Sequence, residues 1–268
     1  MDDGLPVEWL RGRSVVVAAH PDDEIIGLGT LLGRLCELQA VVHVTDGAPR
    51  RGEDIGNAGV GSWQEYAQMR RREVQAAMRE AGVPAEVRQV CLPCPDQQAS
   101  FRMAGLARIL SGMFREVQPE FVWTHPYEGG HPDHDATAFA VHAAVALLRK
   151  AGERGPTILE FSSYHRGPQG METGRFLDTC GERGFEHTLD QEEQSAKKKL
   201  FDCYVSQAHV LQYFPLAEEP VRRAPRYDFG KPPHEGDLYY DGFQWGVTGT
   251  QWRGLAKDAE SELGLASE

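Results

Sequence analysis

Two short clusters of ligand-type side chains stand out in this chain of 268 residues, His20-Pro21-Asp22-Asp23 and His131-Pro132-Asp133-His134. His20 and Asp23 are separated by one helical turn, so both side chains can reach a single ion. His134 supplies a third candidate ligand. Two imidazoles and one carboxylate leave a fourth position for water, the donor set of a catalytic rather than a structural zinc. On zinc the pKa of such a water falls to roughly 7. Asp22 adjoins these residues without being needed as a ligand. It is therefore the candidate base that takes a proton from water and later delivers it to a leaving amine. His131, if protonated, would donate to the developing oxyanion, with Asp133 as the nearby carboxylate that keeps it charged. One Zn2+ per chain is expected, although iron(II) or cobalt(II) suits the same donors. Either motif alone would more often be a turn or a helix cap. Two of them, each directly after an expected strand, favour a shared site.

The elements that must position these residues follow a βαβ pattern. Val15-Val16-Val17-Ala18-Ala19 is a short, wholly apolar, β-branched run, as in a central parallel strand buried on both faces. A helix is expected from about Pro21, with Ile25, Ile26, Leu28, Leu31, Leu32 and Leu35 facing a sheet. Further strands are expected at 41–44, 86–92, 121–124 and 158–162, and amphipathic helices at 63–81, 101–117, 135–150 and 191–205. Residues 46–62, with five glycines, read as a functional loop. The fold class is therefore α/β: one Rossmann-like domain over 1–268, with a mostly parallel sheet flanked by helices. Residues from about 211 to 268, rich in prolines and aromatics, read as an irregular extension packed on it. In such sheets ligands gather beyond the strand C-termini at the switch point. Both motifs occupy that position if the strands before them are neighbours.

The motifs Ala19-His20-Pro21-Asp22-Asp23-Glu24 and Gly130-His131-Pro132-Asp133-His134 closely resemble those of the PIG-L/LmbE-like deacetylase family. Looser likeness extends to Thr45-Asp46-Gly47, Arg70-Arg71-Arg72-Glu73, Pro95-Asp96 and Tyr204-Val205-Ser206-Gln207, over roughly the first two thirds of the chain. The resemblance implies a Rossmann-like fold and zinc-dependent removal of an N-acetyl group from a glucosamine-type conjugate. By match, the ligands would be His20, Asp23 and His134, the base Asp22 and the polarising residue His131. Substrate contacts would come from Arg71 or Arg72 and from Asp96. Gly129 stands where several relatives carry a tyrosine, two residues before the second motif.

Other features carry less. Cys91-Leu92-Pro93-Cys94 lacks a second pair to complete a zinc site. His125 is an alternative ligand, His142 a structural histidine, and Lys197-Lys198-Lys199 a solvated helix face. Arg50 and Arg51 are loop candidates for substrate contact. Trp63, Trp123 and the late tyrosines default to core packing. A net charge of −12 disfavours nucleic acid and anionic membranes as partners. The expected partner is a small N-acetylated molecule; the sequence leaves homo-oligomerisation open. An N-terminus without a basic or long apolar segment and an odd count of five cysteines point to the cytoplasm. Rival readings are an amidase acting on another acyl or thiol conjugate, a two-metal phosphoesterase, and a binding protein without turnover.

Overall fold

A computed structural model describes residues 5–50, 54–177 and 184–266. In chain order the strands are β1 (Arg13–Ala18), β2 (Glu37–His43), β3 (Arg88–Cys91), β4 (Phe121–Thr124), β5 (Thr157–Phe161), β6 (Tyr164–Gly167), β7 (Gly170–Thr173), β8 (Phe185–Thr188) and β9 (Glu218–Arg223). The helices are α1 (Val7–Arg11), α2 (Asp23–Gly27), α3 (Gly29–Leu32), α4 (Asp54–Asn57), α5 (Trp63–Glu80), α6 (Met103–Val117), α7 (Pro132–Lys150), α8 (Gln191–Asp202), α9 (Ala208–Leu211) and α10 (Gly249–Leu263).

Seven strands form one sheet in the order β3-β2-β1-β4-β5-β9-β8, and β6 and β7 form a separate hairpin. The first five are mutually parallel, while β9 runs antiparallel to β5 and β8. The order in which strands are added reverses between β1 and β4, which pair directly, in parallel, through Ser14–Phe121, Val15–Val122 and Val16–Trp123. The condition on which the two motifs could meet is thus satisfied.

Alternation along β1 divides the core. Val15 and Val17 face one layer with α6, α7 and α10, whereas Val16 and Ala18 face the other with α1, α2, α3, α5 and α8. The helix expected from Pro21 is split in two. Glu219 of β9 accepts hydrogen bonds from Thr30 N (2.8 Å), Leu31 N (3.2 Å) and Thr30 Oγ1 (2.9 Å), capping a new start at Gly29. Only glycine fits there, since its φ is +40° and a Cβ would lie 2.0 Å from Glu219 Oε1.

The expectation of an irregular segment after residue 211 is corrected: it contributes β9 to the sheet and the amphipathic helix α10. The sequence Glu218-Glu219-Pro220-Val221-Arg222-Arg223 lacks an apolar pattern because its buried positions are satisfied by charge. Glu219 lies 3.5 Å from Lys197, and Arg222 lies 2.7 Å from Glu160 and 3.3 Å from Glu128. Lys197 is accordingly buried at 1% exposure, which corrects its reading as part of a solvated face. In α10, Trp252, Ala256, Ala259 and Leu263 recur at helical spacing and are all buried. Trp252 also donates from Nε1 to Pro132 O at 3.1 Å, tying α10 to the second motif.

Trp252→Ala removes a wholly buried indole and that hydrogen bond. It is expected to lower stability by about 3–5 kcal/mol and the thermal midpoint by on the order of 10 °C, measured by differential scanning calorimetry.

Candidate metal centre and cleft

The first motif occupies the turn between β1 and α2. The backbone of Val44 and Thr45 donates to Ala18 O and Ala19 O (2.8 and 2.9 Å), extending the β1–β2 ladder up to the motif. Asp22 then adopts φ 152°, a conformation that costs a non-glycine residue roughly 1–3 kcal/mol. It is held there from three sides. Its N–H meets His20 O (3.0 Å) and Glu24 Oε2 (3.1 Å), and its Oδ1 lies 3.1 Å from Arg70. Glu24 is itself fixed by His43 Nε2 at 2.8 Å and by the Tyr204 hydroxyl. The strained turn aims Asp22 into the cleft and folds Asp23 back, so that Asp23 Oδ2 accepts the His20 N–H at 2.7 Å.

The second motif begins α7. His131 is its N-cap and Pro132 its first residue, where the missing N–H is harmless. His131 Nδ1 accepts from Asp133 N at 3.1 Å, so in the neutral ring the proton resides on Nε2. This differs from the expected charged imidazole. Burial, with His20 adding to it, lowers His131 to about 3, and the opposing pull of Asp133 is weaker. The Asp133 carboxylate does not turn back to His131. It accepts from Gln97 N (2.6 Å) and Ala99 N (3.0 Å), clamping the 95–99 turn, and lies 3.5 Å from His20 Nε2.

The two motifs bring their ligand-type atoms together. His20 Nδ1 lies 3.2 Å from His134 Nε2 and 3.2 Å from Asp23 Oδ2, and His134 Nε2 lies 3.2 Å from Asp23 Oδ1. Nitrogen and oxygen donors about 2.0–2.1 Å from a tetrahedral ion stand about 3.3–3.4 Å apart; the pairwise separations are of that order, with His20 and His134 each facing a different oxygen of Asp23. The local charge also suits a cation. Burial works to lower the His20 pKa, yet Asp96, Asp133 and Asp23 hold it well above the usual imidazole range. Burial and His125 lower His134 to about 4 despite Asp23, leaving its nitrogen free to bind metal. Asp22 is pushed up to about 7 by burial, against the pull of Arg70. The residues present thus fit a divalent ion.

The remaining candidates separate. His125 stacks on His134 (4.1 Å, 13° between planes), but its Nε2 accepts the Ala19 N–H at 3.0 Å and is already engaged. Asp96 reaches the site, with Oδ1 3.1 Å from His20 Nε2. Arg71 and Arg72 do not, because both are exposed on α5. The arginine that lines the cleft is Arg70. The periodicity of Tyr66, Arg70, Val74 and Ala77 marks it as inward-facing, a signal the motif match overlooked. Arg50 pairs with Asp46 at 2.7 Å and lies over Trp63; Arg51 lies outside the described residues. His142 is half-buried and packs against Tyr227 and Phe229, outside the residues that line the cleft. Cys91 and Cys94 carry free thiols, and burial pushes Cys94 up to about 12. Trp123 is core.

Both motifs open into a cleft of about 490 Å³. Its far wall is aromatic, made of Tyr164, Tyr213, Tyr239, Phe243 and Trp245, for which core packing is the sequence-based default. No helix among the described residues is long and apolar enough to cross a membrane.

Comparison with known proteins gives a family match and a shared fold. The model of the PIG-L family, described as GlcNAc-PI de-N-acetylase, matches residues 15–145. A 1D-myo-inositol 2-acetamido-2-deoxy-alpha-D-glucopyranoside deacetylase of Corynebacterium kroppenstedtii is 32% identical over 158 residues, covering 50% of this chain and 41% of that protein. A probable N-acetyl-alpha-D-glucosaminyl L-malate deacetylase 2 of Bacillus anthracis is 26% identical over 204 residues, covering 74% and 80%. The crystal structure of an A40926 pseudoaglycone deacetylase superposes with a TM-score of 0.59 at 18% identity, covering 81% of this chain and 99% of that one. At that identity the likeness concerns the fold, which is shared across the mostly parallel sheet and its helices. Residues 15–145, which carry both histidine motifs and the β1–β4 crevice between them, match the PIG-L family.

Proposed function

We propose that this protein is a metal-dependent N-deacetylase that hydrolyses the acetamide of an N-acetylglucosamine-type conjugate, releasing acetate and a free amine. The reading is carried by one observation: His20 Nδ1, His134 Nε2 and the Asp23 carboxylate stand 3.2 Å apart in pairs, with Asp22 and His131 beside them. The names of the curated relatives add the substrate class, since both act on N-acetylglucosaminyl conjugates. His20, Asp23 and His134 would hold the ion, with zinc the best fit to two imidazoles and a carboxylate. When bound, such an ion acidifies water and polarises a carbonyl.

The protein's own groups supply the rest. Asp22 accepts the proton of the attacking water and passes it to the departing nitrogen as the C–N bond breaks. Arg70, 3.1 Å from Asp22 Oδ1, orients that carboxylate and keeps it from being trapped in its protonated form. Neutral His131 donates from Nε2 to the oxyanion, its tautomer fixed by the Asp133 N–H at Nδ1. Asp133 serves as a positioning group: it holds the turn that carries Asp96 and faces His20. Asp96, which also lines the cleft, offers a carboxylate to a sugar hydroxyl.

Zinc-loaded protein incubated with N-acetylglucosamine conjugates should release acetate in a chelator-sensitive manner. Asp22→Asn should retain the metal and lose about 10²–10⁴-fold in kcat, and His131→Ala about 10²–10³-fold. Metal retained with no amide hydrolysed across the panel would sink the proposal. The pH profile has a defined sign. The base acts deprotonated, so kcat/KM should fall as pH drops through the Asp22 transition, which burial raises to about 7. Asp22→Asn should abolish that limb; an unchanged limb would assign it to another group.

A further inference from the structure

The cleft has two unlike walls. One carries Asp22, Asp23 and Asp96; among the described residues lining the cleft, Arg70 is the only lysine or arginine, and it is buried and paired with Asp22. The opposite wall is aromatic and forms a continuous circuit of rings. From His131 the path runs to Trp245 (4.6 Å between centroids), then to Phe243 (4.4 Å, planes within 9°) and Tyr239 (5.0 Å). It continues to Tyr164 (5.7 Å) and returns to His134 (5.2 Å). The rings therefore lead outward from the two histidines to the cleft mouth. At the mouth Phe243 is 44% exposed and Tyr213 61% exposed. Two exposed aromatic rings lining one cleft offer apolar surface to a ligand. Most of this wall lies in the C-terminal segment, outside the stretch 15–145 that matches the family.

The two walls set opposite demands on whatever extends beyond the reacting acetamide. An anionic group would lie beside Asp96, and the one arginine among the described lining residues is already paired with Asp22. A planar apolar group would find Phe243 and Tyr213 ready to stack on it. We infer that the non-sugar portion of the conjugate is uncharged and carries an aromatic or similarly planar apolar group, and that Phe243 and Tyr213 select it. The inference rests on the deacetylase reading for its reaction but not for its recognition surface. It separates this chain from the relative whose name specifies a malate conjugate, an anion.

Three glycosides of N-acetylglucosamine test it: methyl, phenyl and 4-carboxyphenyl. With zinc-loaded protein, kcat/KM for the phenyl glycoside should exceed that for the methyl by roughly 2- to 10-fold per stacked ring, and the carboxyphenyl glycoside should fall below the phenyl. Phe243→Ala should shrink the phenyl-to-methyl ratio, and Phe243→Tyr should restore it. Calorimetric binding of the same glycosides to Asp22→Asn protein provides the order without turnover. If nothing is hydrolysed, the deacetylase reading fails while the binding order still decides this inference. Equal affinity for the methyl and phenyl forms, or a preference for the carboxylate, would overturn it.

Discussion

Negative charge concentrated out of water is the constraint around which this molecule is built. Asp23, Asp96 and Asp133 each approach His20 within 3.5 Å, and Asp22 is the next residue but one along the chain. Removing an ion from water costs several kcal/mol unless partners compensate, so such a cluster persists only if the fold directs positive charge and N–H groups at it. The chain does this from every side. The starts of α2 and α7 both lie at the site, and α5 supplies Arg70. The 95–99 turn offers Gln97 N and Ala99 N to Asp133. A divalent cation among His20, Asp23 and His134 would complete the compensation.

That requirement accounts for features that look unrelated. The direct β1–β4 pairing is needed because the two histidines come from different loops. The strained Asp22 turn is needed because one carboxylate must face inward to the donors while its neighbour faces the cleft. Glu24, His43 and Tyr204 form a buried brace beneath it, which explains a hydrogen-bonded polar network in an otherwise apolar layer. The aromatic wall answers a different need. It screens one side of the site from water and, through Trp252 and α10, is anchored to the same helix that carries His134.

What could be read from the sequence divides along physical lines. The β-branched run at 15–19 and the strand at 121–124 announced themselves by composition, and the four long helices by period. The motifs named the atoms that converge. Charge-satisfied elements stayed hidden: β9 has no apolar alternation because Lys197 and Glu160 neutralise its buried Glu219 and Arg222. The split between α2 and α3 depends on Glu219, far away in sequence. Arg70 could have been found from the period of α5, whereas the motif match pointed to its neighbours. The direction of the Asp133 carboxylate was beyond local reasoning, since its partners lie on another loop. The aromatic wall was visible as residues but not as a surface.

The central claim is that one divalent ion binds between the two motifs through His20, Asp23 and His134. Anomalous diffraction from zinc-loaded crystals at the zinc edge tests it most directly. The account predicts a single peak about 2.0–2.2 Å from His20 Nδ1, His134 Nε2 and an Asp23 oxygen. A peak centred instead between Asp96 and Asp133, or none despite saturating zinc, would contradict it.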